Sequence, residues 1–341
     1  MTSAGARLWR GFFGGWLNAT VTIVTLAVVW LVVAPIVRWA LLDAVWVGDA
    51  KTCAAAEGAC WAFIGEKLRF ILFAFYPFGE HWRAALALAA LVAVLGLSAV
   101  PRLWSVWLAG ACAGLLASAW ALLGGGLFGP PVPMAQWGGL PLTLLITILA
   151  FAGGFPIGLA LALGRRSRLP ILSWLCTIYI ELARGIPLIT ALYLAMLVLP
   201  LALPEGVELE TLVRASLAMT LFFAAYFAEI IRAGLQGVPE SQTEAALSLG
   251  YSPFGAMRHV ILPQALRSVV PALVTIAIGI LQSTTLVAAI GVFDLLNAAR
   301  QAANDTAWLG FYDEAYAFAA LVYFTLCFGA SRYSVWLEKR L

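Results

Sequence analysis

Charged residues are scarce in this sequence of 341 residues, since Asp, Glu, Lys and Arg together make up 11% of it, against about 25% in an ordinary soluble domain. Apolar residues make up 63%, where about 45 to 50% is usual. This composition excludes a soluble globular protein. The formal net charge is only +3, so the chain has neither a broad basic face for nucleic acid nor an acidic disordered tail.

The residue types required by several kinds of site are also rare. The lysines are Lys51, Lys67 and Lys339, and none follows a glycine in the order that a phosphate-binding P-loop requires. The two histidines, His81 and His259, lack zinc-ligand spacing, and no CxxC pair occurs. We therefore expect no metal, no cofactor and no ATP bound by this chain, and no catalytic residue.

Long apolar stretches are abundant. A bilayer core about 30 Å thick is crossed by roughly 20 apolar residues in a helix, the conformation that satisfies every backbone polar group without water. The sequence predicts an all-α integral membrane protein with about eight transmembrane helices. The predicted spans are 18–38, 84–100, 103–123, 141–163, 183–203, 212–233, 269–290 and 315–337.

The distribution of positive charge predicts the orientation. With both termini cytoplasmic, 13 Lys and Arg residues, including Arg7 and Arg10, lie inside and 7 lie outside, as the positive-inside rule favours. Most acidic residues, including Glu205, then lie outside. The first apolar stretch is longer than the core of a secretory signal, so we interpret it as a retained anchor.

The chain divides into two predicted parts. Residues 1–140 hold three spans, a polar outer loop at 43–83 and a Gly/Pro-rich linker from Gly124 to Pro133 that interrupts helix formation. Residues 141–341 hold the other five spans. In the outer loop, the spacing of Cys53 and Cys60 in an oxidising compartment favours a disulfide. The alternative is two free thiols in a disordered loop.

The segment between the sixth and seventh spans carries explicit helix signals. Ser241 and Glu244 have the spacing of a capping box, although a helix start at Pro239 is also allowed. Gly250 can adopt the left-handed conformation that ends a helix, and Ser252 can cap a second helix. Pro263 should limit that second helix, because its ring disfavours a continuing helix. The segment is therefore predicted to be structured.

Its composition favours docking to a partner protein. Ala245 and Ala246 expose little side chain, so the helix backbone can approach a groove closely. The alternative is a helix lying on the lipid surface, which requires a stripe of large apolar and basic residues. Between Ser241 and Gly250 there is no Lys or Arg, and the large apolar residues are Leu247 and Leu249.

A family resemblance rests on this segment. Glu244-Ala245-Ala246, three residues, Gly250, nine residues and then Val260-Ile261-Leu262-Pro263 resemble the EAA signature of membrane subunits of binding-protein-dependent ABC importers, with Val260 where Ile is usual. Three further stretches, 181–188, 228–234 and 282–291, resemble the polar amino-acid subfamily. The N-terminal extension with Cys53 and Cys60 resembles the general L-amino-acid permease subunits of Gram-negative bacteria.

The resemblance implies a type I importer permease core of five helices over 141–341, located in the bacterial inner membrane. The implied partners are a second homologous permease subunit in a heterodimer, two ATPase subunits that hold ATP and Mg, and a periplasmic solute-binding protein. The residues implied to couple to the ATPase are Glu240, Ser241, Glu244, Ala245, Ala246, Leu249, Gly250 and Pro263.

Two acid/base pairs are candidates for the gate of the path. Glu181 with Arg184, and Glu229 with Arg232, are each three residues apart on a helix and so share a face. Charges inside a bilayer tend to pair or to face a cavity. Both pairs lie near the predicted cytoplasmic ends of their spans, so topology anchoring through salt bridges is an alternative to a gate.

A run of polar residues gives a second set of path candidates. Gln282, Ser283, Thr284 and Thr285 fall within the seventh predicted span, where such side chains either bond neighbouring helices or line a path. Neutral amides and hydroxyls can bind both ends of a zwitterionic amino acid. The polar outer segment from Phe293 to Glu314 could meet a binding protein or be an ordinary solvated loop.

The leading interpretation is a permease subunit of an ATP-driven importer of L-amino acids. The alternative from another class is a secondary amino-acid transporter driven by an ion gradient, which requires a carboxylate near mid-span. Glu181 and Glu229 lie toward the span ends, which disfavours it. A membrane-embedded enzyme is a third possibility, but no nucleophile with its base is evident.

Overall fold

The computed structural model describes residue 9 and residues 11–204 and 206–340, so Arg7, Arg10 and Glu205 lie outside the described residues. Within these ranges the chain is almost entirely helical and contains isolated bridges but no β-strand, as predicted. The α-helices, numbered in chain order, are α1 Trp16–Val37, α2 Ala50–Ala54, α3 Trp61–Phe73, α4 His81–Ser98, α5 Val106–Gly124, α6 Gly139–Arg165, α7 Pro170–Gly185, α8 Leu188–Leu197, α9 Leu199–Ala202, α10 Thr211–Gly237, α11 Glu240–Ser248, α12 Pro253–Ala256, α13 Leu262–Ser283, α14 Leu295–Ala302 and α15 Tyr312–Glu338.

Among the described residues, seven helical segments are long and apolar enough to cross a membrane, and an eighth span exists if one bent pair is counted. The pair is α7 and α8, whose axes differ by 107° across Ile186 and Pro187. The prediction of a continuous span over 183–203 is therefore wrong. Pro187 explains the break, since a residue that precedes proline is driven out of helical geometry, and Ile186 is extended at φ −100° and ψ 147°.

The centre of the fold is the contact between α6 and α10, which pack most extensively. Gly158 makes the close approach possible, because a Cβ there would lie 2.5 Å from Phe227 Cβ and 2.7 Å from the Ala224 carbonyl oxygen. Gly234 has the same role between α10 and α13, where a Cβ would lie 2.5 Å from Val269 Cγ1. Small residues at such crossings allow the dense packing that replaces a hydrophobic driving force in a bilayer.

The Gly/Pro-rich linker does interrupt the helices, as predicted, but it is packed against α4. Arg83 is fully buried and donates from Nε to the Leu122 carbonyl oxygen at 2.9 Å and from Nη1 to the Pro130 carbonyl oxygen at 3.0 Å. Nη1 also pairs with Glu80 at 3.2 Å. A guanidinium with several donors can thus satisfy carbonyls that the turns leave unpaired.

Contacts along the chain separate two compact units, and the predicted division at residue 140 stays a prediction. One unit is Met1–Lys67 with Ala303–Ala315, and the other is Leu68–Ala302 with Tyr316–Leu341. In the first unit, Cys53 and Cys60 form a disulfide. Three polar contacts join its two chain segments: Lys67 Nζ to Asp305 at 2.8 Å, Trp308 Nε1 to Glu66 at 3.0 Å, and Cys60 N to Glu314 at 2.9 Å.

Candidate functional site

The segment that carries the EAA-like motif is structured, and we call residues 240–263 the coupling segment, after the role that the resemblance implies. Its first helix, α11, begins at Glu240 with Pro239 as the N-cap and no side-chain cap. The predicted capping box of Ser241 and Glu244 is therefore wrong, and the start at Pro239 is the observed one. Pro239 has φ −58° and ψ 142°, so it sets the entry angle of the helix without help from a hydroxyl.

The turn between the two short helices follows the prediction. Gly250 adopts φ +87°, and the amide nitrogens of Gly250 and Tyr251 donate to the carbonyls of Leu247 and Ala246 at 2.9 and 3.1 Å. Ser252 then caps α12 by accepting from the Gly255 amide at 3.1 Å. The left-handed glycine ends α11 and the serine cap starts α12, so together they fix the direction of the chain on each side of the turn.

Pro263 does not limit the second helix, contrary to the prediction. After α12, residues Met257–Ile261 form a π-turn, and the chain continues directly into α13. The ring of a proline inside a helix clashes with the carbonyl four residues earlier, which here is that of His259. The widened π-turn lies at that carbonyl, so the helix passes Pro263 without ending.

Much of the coupling segment is exposed. Ala246 is buried, whereas Glu240, Ser241, Glu244, Ala245 and Gly250 are exposed. Leu249 is 80% exposed and Phe254 is 73% exposed. Sequence reasoning missed Phe254, although an aromatic residue directly after the Ser252-Pro253 helix start was a visible signal. Exposed apolar side chains on a rigid, solvated segment are typical of a protein docking surface.

The charged candidates join in one network with a different pairing from the predicted one. Glu229 and Arg232 pair as expected, at 2.8 and 3.0 Å. Glu181 pairs with Arg165 at 3.1 Å, and Arg184 lies 3.7 Å from Glu229, so the predicted pairing of Glu181 with Arg184 is wrong. Helix α7 turns Arg184 toward α10, where Glu229 is the better-buried carboxylate.

Arg165, which sequence reasoning did not select, is central to this network. Its Nη1 donates to Glu229 at 2.6 Å and its Nη2 donates to Glu181 at 3.1 Å, so one guanidinium joins α6, α7 and α10. A planar guanidinium suits such a double contact better than an ammonium does. The signal in the sequence was weak, because Arg165 stands in a basic run that topology alone explains.

The polar run at 282–285 lies at a change of helix type. α13 ends at Ser283 and a 3₁₀ segment, Thr284–Ile290, follows, so these residues are not in the middle of one regular helix. Thr284 is fully buried and its hydroxyl lies 3.2 Å from that of Tyr323. Gln282 is exposed, and Ser283 and Thr285 are half-buried. Thr284 therefore bonds between helices, while the other three remain at least partly exposed.

The segment from Phe293 to Glu314, for which the sequence predicts either a surface that meets a binding protein or a solvated loop, is partly helical and partly buried. It contains α14, and Asp294 and Glu314 are buried, at 0% and 6% exposure. Burial raises the pKa of the Asp294 carboxyl above its usual range. At Asp305, the hydrogen bond from Lys67 lowers the pKa of the exposed carboxyl.

Comparison with known proteins gives one family. The sequence model of the family described as binding-protein-dependent transport system inner membrane component matches residues 154–341. The chain is similar to the inner membrane amino-acid ABC transporter permease protein YhdY of Escherichia coli K12, with 42% identity over 348 residues that cover 99% of this chain and 94% of that protein.

Two further similar proteins are also transport proteins for amino acids, as their names state. The glutamate/glutamine/aspartate/asparagine transport system permease protein BztC of Rhodobacter capsulatus is 36% identical over 418 residues, covering 100% of this chain and 95% of that protein. Among solved structures, the crystal structure of an amino acid ABC transporter with histidines superposes with a TM-score of 0.54 at 36% identity. That match covers 60% of this chain and 92% of the solved one.

Proposed function

Because this chain belongs to the family of inner membrane components of binding-protein-dependent transport systems, we propose that it is the permease subunit of an ATP-driven ABC importer of polar or broad-range L-amino acids. Relatives that match along the whole chain are amino-acid ABC transporter permeases. The observation that supports the finer mechanism is the coupling segment, which is structured and carries the exposed apolar residues Leu249 and Phe254.

In this proposal the chain supplies the path and a partner supplies the energy. ATP and Mg bind to two ATPase subunits, a second homologous permease subunit completes a heterodimer, and a periplasmic binding protein delivers the amino acid. Both termini of this multi-pass inner-membrane chain are cytoplasmic. The chain itself performs no hydrolysis.

The coupling residues act as one docked unit. Glu240, Ser241, Glu244, Ala245 and Gly250 face solvent on α11 and its turn, where a groove of the ATPase can receive them. Ala246 is buried beneath, and Gln242 accepts a hydrogen bond from Gln264 on α13 at 3.3 Å. Movement of the docked helix therefore passes to α13, because packed helices shift between discrete arrangements.

The charged network and the polar run have separate roles in the proposal. Glu181, Arg184, Glu229 and Arg232, with Arg165, form a gate that re-pairs when the helices move, since its members are partly exposed. Gln282, Ser283 and Thr285 offer donors and acceptors to the amino acid in the path. An ion-gradient mechanism lacks a specific observation in its favour, because both glutamates are engaged by arginines.

The coupling role is tested first at Gly250. In Gly250→Val, a β-branched residue must adopt φ +87°, a conformation costing of order 1–3 kcal/mol. Gly250→Asn is the matched control, because asparagine tolerates this region. We expect Gly250→Val to abolish most amino-acid uptake in the assembled importer while the chain still inserts, and Gly250→Asn to retain it. Equal uptake by both variants would contradict the coupling role.

Docking itself is tested at Glu244. Glu244→Lys reverses a charge on the exposed face of α11, and we expect recovery of the ATPase with the purified permease in detergent to fall severalfold. Asp313→Lys, an exposed acid on α15, is the control and should leave recovery unchanged. If both variants recover the ATPase like the wild type, Glu244 is not in the docking face.

A further inference from the structure

Asp294 is a fully buried carboxylate that the proposed gate and path do not use. It lies directly before α14 and accepts from the amides of Leu296 and Asn297 at 3.3 and 3.1 Å, and from the side-chain amide of Asn297. Tyr323 on α15 donates its hydroxyl to Asp294 Oδ2 at 2.8 Å. Within the described part of the chain, no lysine or arginine forms a salt bridge with it.

Capping α14 explains only part of this arrangement. A helix N-cap needs an acceptor for the second or third amide, which serine, threonine or asparagine also provides. Asp294 accepts from both of these amides with its two oxygens and still engages Tyr323. The additional contact crosses to a membrane-spanning helix, so the carboxylate does more than end a turn.

The contact continues from Tyr323 to the start of the 3₁₀ segment. The Tyr323 hydroxyl, which gives its one hydrogen to Asp294, lies 3.2 Å from the Thr284 hydroxyl, and the Thr284 hydrogen is shared between the Tyr323 oxygen and the Leu281 carbonyl at 2.7 Å. The Asn297 side-chain amide reaches the Thr285 carbonyl at 3.5 Å. Asp294 is thus connected, through one tyrosine and one asparagine, to both threonines of the polar run.

The beginning of α6 forms hydrogen bonds with the backbone on either side of Asp294. The Leu295 amide donates to the Thr143 hydroxyl at 3.0 Å, and that hydroxyl donates to the Gly139 carbonyl at 3.0 Å. The Gly139 amide donates to the Phe293 carbonyl at 2.9 Å. The backbone on either side of Asp294 is therefore fixed to α6, which gives the carboxylate a defined position.

The segment that Asp294 reaches is the end of a spanning helix, where the chain has 3₁₀ geometry. A run of seven residues, Thr284–Ile290, is long for 3₁₀ geometry, which has poorer hydrogen bonds and seldom exceeds three or four residues. Gly291 then ends it at φ +80°. Such a segment needs outside contacts to keep its conformation.

We propose that Asp294 is a positioning residue for transport: through Tyr323 and Thr284 it holds the 3₁₀ segment Thr284–Ile290 in the arrangement that presents Gln282, Ser283 and Thr285 to the path. The inference rests on the proposed function, because it assigns the positioned side chains to the transported amino acid. The link consists of neutral donors around one buried charge.

Tyr323→Phe is the most selective test, since it removes the hydroxyl that makes the link and leaves the cap of α14 intact. Tyr316→Phe on the same helix is the matched control, because Tyr316 is exposed. Asp294→Ser is the second variant, in which a hydroxyl can still cap α14 but is too short to reach Tyr323. Both test variants break the same link, so the double variant should change amide exchange and uptake little more than either single variant does.

Two measurements on the assembled importer separate positioning from transport. We expect amide hydrogen exchange across 284–290 to become at least tenfold faster in Tyr323→Phe and in Asp294→Ser, and to stay unchanged in Tyr316→Phe. Uptake per assembled importer should fall at least fivefold in both test variants. The loss should appear in the maximal rate, with the half-saturating concentration of binding protein changed less than twofold.

The outcomes distinguish the two proposals. Unchanged exchange across 284–290 in Tyr323→Phe overturns the positioning role, whether or not the wild type transports amino acids. Faster exchange with unchanged uptake per importer overturns the transport role of Asp294 and leaves it a helix cap. If the wild type takes up no amino acid while exchange responds as expected, the proposed function fails and the positioning of the 3₁₀ segment is supported.

Discussion

The two ends of α6 carry polar clusters built on opposite principles. At the Arg165 end, arginines and glutamates of three helices share contacts, and every side chain is at least 17% exposed. At the Thr143 end, one carboxylate, Asp294, is fully buried among neutral donors. A helix of 27 residues spans about 40 Å at 1.5 Å per residue, so the two clusters are separated by about the thickness of a bilayer.

The difference teaches what each cluster can do. Partly exposed ion pairs contribute little net energy individually and can exchange partners, which suits a gate that must open. A buried charge is costly unless all its bonds are made, which suits a contact that must persist. The same helix thus combines an adaptable end with a fixed one.

The largest expected effect comes from removing Glu229, which faces Arg165, Arg184 and Arg232. Glu229→Ala leaves Arg184 and Arg232 without a paired acid and Arg165 with Glu181 alone, and we expect the free energy of unfolding to fall by about 2 to 3 kcal/mol, below the value for a fully buried pair. Thermal unfolding of the purified chain measures it. Glu181→Ala, the control, should cost less than about 1 kcal/mol, because Glu181 is 56% exposed and has one such partner.

If Glu181→Ala lowers the free energy of unfolding as much as Glu229→Ala does, the two acids contribute equally, although Glu229 has three arginine partners and Glu181 has one. Glu229 would then be one of several equal contributors, and the proposed gate would have no central carboxylate.

The second largest loss of stability is expected from a substitution in the middle of α6. Gly158→Ala places a Cβ 2.5 Å from Phe227 Cβ, and overpacking of this kind costs typically about 1 to 3 kcal/mol. The expected result is a lower unfolding temperature and a smaller share of folded chain in detergent. Gly114→Ala on α5, where no atom lies within 4 Å of the added Cβ, should be neutral or stabilise by up to about 1 kcal/mol.

If both alanines behave alike, close packing of α6 on α10 is not what sets the position of its two ends. The separation between the two clusters would then have to be fixed by other helices.

The smallest expected effect concerns salt. The Debye length falls from about 8 Å at 0.15 M to about 3 Å at 1 M, so high salt should reduce the stability difference between wild type and Arg165→Ala by up to about 1 kcal/mol. The difference for Asp294→Ser should not change, because its bonds are buried and to neutral donors. Equal salt sensitivity at both ends would remove the contrast between them.

Local signals in the sequence predicted much of this fold. Apolar length located the spans, Gly250 marked the turn that its positive φ requires, and Ser252 marked the start of α12. Each of these features depends on a few neighbouring residues, so the chain can be interpreted one stretch at a time. Pro187 is an equally local signal for the bend between α7 and α8, whereas apolar length alone predicts a continuous span there.

The rest depends on contacts between distant residues. Arg165 meets a glutamate 64 positions away, and Asp294 meets a tyrosine 29 positions away, so no local pattern predicts either pairing. A charge in a polar stretch is expected to be solvated, and the burial of Asp294 becomes evident only when α6, α14 and α15 are packed together. The π-turn before Pro263 likewise depends on the whole helix, because it accommodates the proline ring while the helix continues.

Uptake into proteoliposomes tests the central claim most directly. The chain is reconstituted with the proposed second permease subunit and ATPase, and labelled L-amino acid is supplied with the proposed binding protein. We predict accumulation that requires ATP, the ATPase and the binding protein together. Accumulation by this chain alone, driven by a proton or sodium gradient without ATP, would contradict the account.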